Sequence, residues 1–390
     1  MRWLLLIAAF VAFVSADDKL NRNVILRGSY ANSQLQFDKL KTGRVAFMGG
    51  SITQMNGYRP MVATWLQKRF PKTKFDFINA GISSTCSTTG AFRLPSEVLA
   101  KGKIDLFFIE FAVNDDQDAG HASRECVRGM EGIIRQARKA QPNMDIMVTH
   151  FVNPGMLEQL REGKMPLSMA AHEKVLKAYN VSTIFLAREV ADRIDMGNLT
   201  WTVFGGTHPK PAGNAIAADM IGHLLDRAWS KPVASKAAPH ALPWKPVDEG
   251  CYQRGHFLLP AASANEAWTW HEPDWKQIPG GFRSDPFAGK KLLTASLAGQ
   301  EATVHFNGRA LGAYVLAGPD AGVLEVSIDG GKWQRVDLYH RHSRGLHYPR
   351  TVMFATDLKA GAHTAKIRLS NKSNPLSKGT AARVLQFVVN

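Results

Sequence analysis

From about Val24 to Trp229, short apolar runs alternate with segments of helical period; after a proline-rich break the helical period disappears. Five runs read as strands, at 44–48, 75–78, 104–113, 145–152 and 181–186. They are apolar on both faces, the pattern of a buried parallel sheet. Helices are expected at 61–70, 125–140 and 169–179, and at 212–229, where Ile216, Met220 and Leu224 share one face. Strands alternating with helices predict a doubly wound α/β domain over 24–230 with a five-stranded parallel sheet.

Residues 231–250 carry Pro232, Pro239, Pro243 and Pro246 among alanines and lysines and read as a semi-extended linker. Beyond it, seven segments read as strands, at 302–306, 311–316, 323–328, 333–338, 351–354, 363–369 and 381–389. Leu324, Val326 and Ile328 face one side while Glu325 and Ser327 face the other, as on a half-buried strand. Asp329-Gly330-Gly331 before Lys332-Trp333 reads as a hairpin turn. This half predicts a β-sandwich over 251–390.

Residues 1–16 stand apart from both patterns. A single basic residue, Arg2, precedes an apolar run over 4–14, and Val14-Ser15-Ala16 is a small-x-small cleavage pattern. A bilayer span needs roughly 20 apolar residues, so this run reads as a secretory signal peptide, with a secreted or periplasmic mature chain and no stable membrane insertion.

The formal charge of +15 admits an anionic polymer as partner. No basic stripe interleaved with aromatics occurs, so nucleic acid is not the expected partner; an acidic polysaccharide, or simply a solvated basic surface, remains. The three cysteines, Cys86, Cys126 and Cys251, lie in no zinc-type spacing, and no metal or cofactor is expected. Pairing of Cys86 with Cys126 stays open.

Ligands of a doubly wound sheet bind beyond the carboxyl ends of its strands. After the first predicted strand comes Gly49-Gly50-Ser51-Ile52-Thr53, after the second Asn79-Ala80-Gly81, and after the third Ala112-Val113-Asn114-Asp115. Gly205-Gly206-Thr207-His208-Pro209 stands before the last helix. Each is an ordinary loop taken alone. As an ordered set they offer what acyl transfer needs: a nucleophile, a base and an oxyanion site.

In these blocks the chain resembles the SGNH/GDSL hydrolases, over about residues 40–230. Gly50 stands where that family usually has aspartate, and Ala112 where it usually has glycine. The resemblance implies a flavodoxin-like hydrolase fold with Ser51 as nucleophile and His208 as its base. The Ser51 amide, the Gly81 amide and the Asn114 side chain would hold the oxyanion. Similarity to bacterial secreted members with a C-terminal sandwich, carried by segments 317–322 and 343–350, implies hydrolysis of O-acyl esters, chiefly O-acetyl, on a carbohydrate or polysaccharide. The alternatives are a carbohydrate-binding pseudoenzyme and a lipid or arylester hydrolase on the same fold.

One departure stands out. The family's catalytic aspartate lies three residues before the histidine, and here that position is Gly205. In Ser-His-Asp enzymes losing that group costs about 10⁴ in rate. Asp115 and Asp116 are the nearest candidates to replace it. Glu110, inside an apolar run, reads as a buried ion pair with Arg59 or Arg93. His340 and His342 read as surface residues rather than metal ligands. His347, Tyr348, Trp268 and Trp270 read as core packing rather than a sugar platform.

Overall fold

The computed structural model describes residues 22–280 and 287–390; the expected signal peptide at 1–16 lies outside them. Among the described residues no helix is long and apolar enough to cross a membrane.

The first half folds around six strands: β1 (Val24–Ile25), β2 (Thr42–Gly49), β3 (Lys74–Gly81), β4 (Leu106–Glu110), β5 (Asp145–Thr149) and β6 (Ser182–Ile184). They lie in the order β1-β6-β5-β4-β2-β3. β2 to β6 are parallel, as expected; the two-residue β1, too short to stand out in the sequence, adds an antiparallel edge. Alternation along β2 sends Val45 and Phe47 into one core and Ala46 and Met48 into the other, which accounts for strands without a polar face. Phe47 stacks on Phe108 of β4 at 4.7 Å between centroids.

β4 ends three residues earlier than its apolar run suggests. Ala112 and Val113 are helical, and Asn114–Asp118 form a π-turn. Such turns are rare and often mark functional sites. The helix Ser87–Glu97 escaped the sequence reading because it carries Gly90 and Pro95, both poor helix formers.

The second half contains β7 (His256–Leu258), β8 (Thr269–His271), β9 (Leu292–Ala295), β10 (Glu301–Gly308), β11 (Leu311–Ala317), β12 (Val323–Ile328), β13 (Gln334–Asp337), β14 (Tyr348–Ala355), β15 (Gly361–Leu369) and β16 (Ala382–Val389). One sheet runs β10-β15-β12-β13 and the other β14-β11-β16-β9-β8, with β7 also on β16. The seven expected strands are present; β7 to β9 are added by pieces of three or four residues, too short to show a period. Every residue of β11 is buried. Leu311, Ala313 and Val315 face the sandwich core, whereas Tyr314 and Leu316 join the core around the helix Ser123–Ala140 of the first half. The sandwich is thus packed onto the α/β unit through a shared apolar layer.

Residues 231–250 are extended but fastened down. Asn32 exchanges two hydrogen bonds with Ala238 (2.8 and 2.9 Å), and the Glu131 carboxylate accepts from the Val247 and Asp248 amides (2.6 and 2.9 Å). Arg128 pairs with both Asp248 and Asp357, clamping segment and sandwich to the same helix.

Candidate active site

Ser51 opens the short helix Ser51–Gln54 directly after β2, where the first-turn amides have no intrahelical partner. Its Oγ lies 2.7 Å from His208 Nε2. His208 sits between the helices Trp201–Phe204 and Pro211–Ala228. Its loop is held on both sides: Lys210 N donates to Phe204 O (2.9 Å), and Asn214 Nδ2 donates to the Pro209 carbonyl (2.6 Å).

The parallel register sets Gly49 beside both Gly81 and Glu110, so the ends of β2, β3 and β4 meet at the serine turn. A side chain at Gly50 would collide with the Asn114 amide, so the close approach of this turn to Asn114 explains a glycine at that position. Gln54 Oε1 accepts from the Ser83 amide and hydroxyl (2.7 and 2.6 Å), tying in the loop after β3.

Two of the expected oxyanion donors already have acceptors. The Gly81 amide donates to Asn79 Oδ1 at 3.0 Å, and Asn114 Nδ2 donates to Asp118 Oδ2 at 2.5 Å. An amide nitrogen carries two protons, so Asn114 keeps one for another acceptor while Asp118 fixes its orientation. Burial raises the Asp118 carboxyl's pKa, and the Asn114 contact partly offsets this. Asp118, in the run Asn114-Asp115-Asp116-Gln117-Asp118, was within sight of the sequence reading, but its inward direction follows from the π-turn alone.

Neither carboxylate proposed as the acid meets His208. Asp115 is fully buried and accepts from the Ser87 amide (2.7 Å) and hydroxyl (2.6 Å), with His172 Nε2 at 2.8 Å. Burial opposes its charge, but His172, His121 and Ser87 outweigh this and hold its carboxyl below the ordinary range. Asp116 accepts from Asn153 Nδ2 at 2.7 Å. Among the described residues His208 Nδ1 has no hydrogen-bond acceptor. At Gly205 φ is +109°, and a Cβ would collide with the Lys210 backbone nitrogen, so the loop is closed to the side chain the family usually has there.

Glu110 also departs from its expected pairing. Arg93 pairs with Glu97 and donates to the carbonyls of Ala80 and Gly49, while Arg59 donates to the Thr53 carbonyl. Glu110 instead lies under the serine turn: Oε2 accepts from the Gly50 amide (3.4 Å) and Thr53 Oγ1 (3.3 Å), and Oε1 has no partner. Burial pushes its pKa up to about 8.

His340 and His342 are not on a strand. His340 caps the turn Arg341–Arg344, stacks on Tyr348 and bonds the Asp118 carbonyl at 2.7 Å, carrying the sandwich to the edge of the site. Burial lowers its pKa to about 4, so the neutral ring donates from Nε2 and accepts the His342 amide at Nδ1. Trp268, His347 and Tyr348 are buried, while Trp270 is half-buried at the edge of the sandwich core. All three cysteines are buried and unpaired. Among the described residues one set of metal-type ligands converges, Cys86, Asp115 and His121, within 4.8 Å of one another; Asp115 is already committed to Ser87 and His172.

Residues 47–216 match the profile of the GDSL-like lipase/acylhydrolase family. The matched stretch contains the serine turn and the His208 loop. Nothing among curated protein sequences matches the chain. Among solved structures it is similar to a two-domain esterase active on acetylated mannans, with a TM-score of 0.75 and 21% identity over 95% of this chain and 98% of that one. The same esterase co-crystallised with mannopentaose gives 0.73 and 21%, over 95% and 97%. At that identity the likeness establishes the shared α/β-plus-sandwich fold.

Proposed function

We propose that this protein is a secreted serine esterase that removes O-acyl groups, chiefly acetyl, from a carbohydrate or polysaccharide. The observation that carries the reading is the 2.7 Å contact between Ser51 Oγ and His208 Nε2, at the carboxyl ends of the strands in an acylhydrolase-family domain. Nε2 takes the Ser51 proton as Oγ bonds to the ester carbonyl carbon. The oxyanion so formed is met by the Ser51 amide and the free Asn114 proton, and by the Gly81 amide once it leaves Asn79. His208 returns the proton to the departing sugar oxygen. Water then repeats the sequence on the acyl-serine, releasing the acid and restoring Ser51.

The carbohydrate half of the reading is supported by the fold shared with the acetyl-mannan esterase. Release of acetate from a panel of acetylated polysaccharides, by the wild-type chain and by Ser51→Ala, tests it. Acetate released equally by both would remove Ser51 from the mechanism. A second reading, a carbohydrate-binding protein without turnover, is favoured by one observation: among the described residues no carboxylate bonds His208 Nδ1. Failure of the wild-type chain to hydrolyse p-nitrophenyl acetate would select it.

A further inference from the structure

A cavity of about 720 Å³ opens at the far end of the helix Ser123–Ala140, between its last turns, the proline-rich segment and the sandwich edge. At 1.5 Å per residue, Lys139 lies about 24 Å along this helix from its start beside the Asn114 loop. None of Ser51, Gly81, Asn114 or His208 lines it.

Five basic side chains surround it: Arg135, Lys139, Arg254, His256 and Arg309. Among the described residues none of the five has an ion-pair partner. Arg135 and Lys139 both donate to the single oxygen Gln253 Oε1 (2.8 and 2.7 Å). Arg309 has only the Leu358 carbonyl for its side chain, at 3.3 Å. Among the described residues Glu249 is the one carboxylate side chain on the rim, and the Asn390 backbone oxygen accepts from the Arg309 and Ala310 amides. The charges act on one another: burial lowers the Lys139 pKa, and Arg135 and Arg254 lower it further.

Trp244 stands on the same rim and is 92% exposed. It is not on a loose loop, because Arg135 donates to the neighbouring Pro243 carbonyl at 2.9 Å. Among the described residues no ring or cation contact engages Trp244. A flat aromatic face beside unpaired guanidinium groups matches the two halves of a charged sugar, a ring with axial C–H bonds and a carboxylate or sulfate.

We infer that this cavity is a second binding site, remote from Ser51, that takes an anionic sugar residue, with its ring on Trp244 and its carboxylate or sulfate on Arg254 and Arg309. That such a residue belongs to the substrate polymer rests on the esterase reading; the site itself does not.

The experiment is calorimetric titration of the full chain with an unacetylated oligouronide, a sulfated oligosaccharide, a neutral oligosaccharide of equal length, and inorganic sulfate. The two charged sugars distinguish the sources of the anion. At low salt at least one of them should bind, and the neutral one should bind at least tenfold more weakly. Arg254→Gln/Arg309→Gln should weaken charged-sugar binding about tenfold, as expected for two exposed charge contacts. Trp244→Ala should weaken it several-fold while leaving inorganic sulfate unaffected. All three side chains are exposed, so these variants should keep the wild-type melting temperature and turnover of p-nitrophenyl acetate. Equal binding of neutral and charged sugars, an unchanged affinity in the double variant, or a silent Trp244→Ala would each overturn the inference. Because no turnover is read, loss of the esterase reading would appear separately, as a wild-type chain that binds the charged sugar and hydrolyses no ester.

Discussion

Two sets of serine and histidine lie close to the same loop, and they are opposites. Behind the π-turn, Ser87, Asp115 and His172 form a closed set, all fully buried, with the carboxylate accepting from both partners. In front of it, Ser51 and His208 form an open pair that, among the described residues, has no carboxylate bonded to it. The first has the fuller chemistry and no room for a substrate. The second has the thinner chemistry, but it sits at the strand ends with donor groups converging on the same turn. Residue types alone would favour the buried set. Access and the nearby Asn114 side chain, the oxyanion donor of the proposed mechanism, favour the exposed one, since acyl transfer requires both.

The sharpest way to break this contrast is to remove each serine. Ser51→Ala should lower kcat on an acetyl ester by roughly 10⁴ or more, with the melting temperature unchanged. Ser87→Ala should leave kcat per folded molecule within a few-fold. The reverse pattern would transfer the chemistry to the buried set. Next in size is Asn114→Ala, expected to cost about 10²–10³ in kcat, the usual cost of one oxyanion donor. A rise in KM alone would make Asn114 a ground-state binding group.

Restoring the family's usual acid by Gly205→Asp sharpens the comparison from the other side. The positive φ and the Lys210 backbone leave no space for the side chain, so the His208 loop must shift. Displacing a base by even part of an ångström is costly, and turnover should fall roughly tenfold rather than rise. A gain in kcat would mean that the loop opens readily and that His208 lacks only a carboxylate. Asp115→Asn ranks lower on turnover, with kcat per folded molecule nearly kept. Its cost should appear in denaturant titrations as roughly 1–3 kcal/mol, because Asn cannot accept from Ser87 and His172 together and leaves a buried donor unsatisfied. Loss of kcat at unchanged stability would make Asp115 part of the mechanism.

Much of this arrangement is legible in the chain, and the rest fails for identifiable reasons. The parallel strands announce themselves because both faces are covered, and the four loop motifs fall after β2, β3 and β4 and before the last helix, as expected. Ser51 and His208, 157 positions apart, do come within hydrogen-bond distance. What pattern could not give is direction. Asn114-Asp115-Asp116-Gln117-Asp118 offers three carboxylates in five positions, and only the π-turn decides that Asp118 meets Asn114 while Asp115 turns inward. Charge pairing misled at Glu110, since Arg93 and Arg59 were taken by nearer acceptors. The proline-rich segment read as a linker because its bonds reach residues more than a hundred positions away, such as Asn32 and Glu131.

Glu110 supplies the smallest effect on turnover and a contrast of its own with Asp115. Both are fully buried carboxyls beside the same turn, yet one lies above its ordinary range and the other below it. Asp115 has protons from Ser87 and His172 aimed at it. Glu110 has two long contacts on Oε2 and none on Oε1, so ionisation would leave a buried charge half unsupported. With its pKa raised from 4.5 to about 8, the folded chain holds a proton at neutral pH that the unfolded chain has released. Below pH 4.5 both states are protonated and Glu110 is neutral in the balance. Between 4.5 and about 8 the folded state binds more protons, so stability falls as pH rises, by roughly 5 kcal/mol in all, and the fall ends once both states are ionised. Asp115 acts in the opposite direction: its contribution is present above the ordinary carboxyl pKa and is lost as pH falls through its depressed value. Glu110→Gln keeps the shape and removes the proton. At pH 6 its kcat should match wild type. Its denaturation midpoint should hardly move between pH 5 and 9, where the wild-type midpoint drops. A variant that keeps the wild-type slope would show that Glu110 is ionised beneath Ser51, and that some other group carries the alkaline loss.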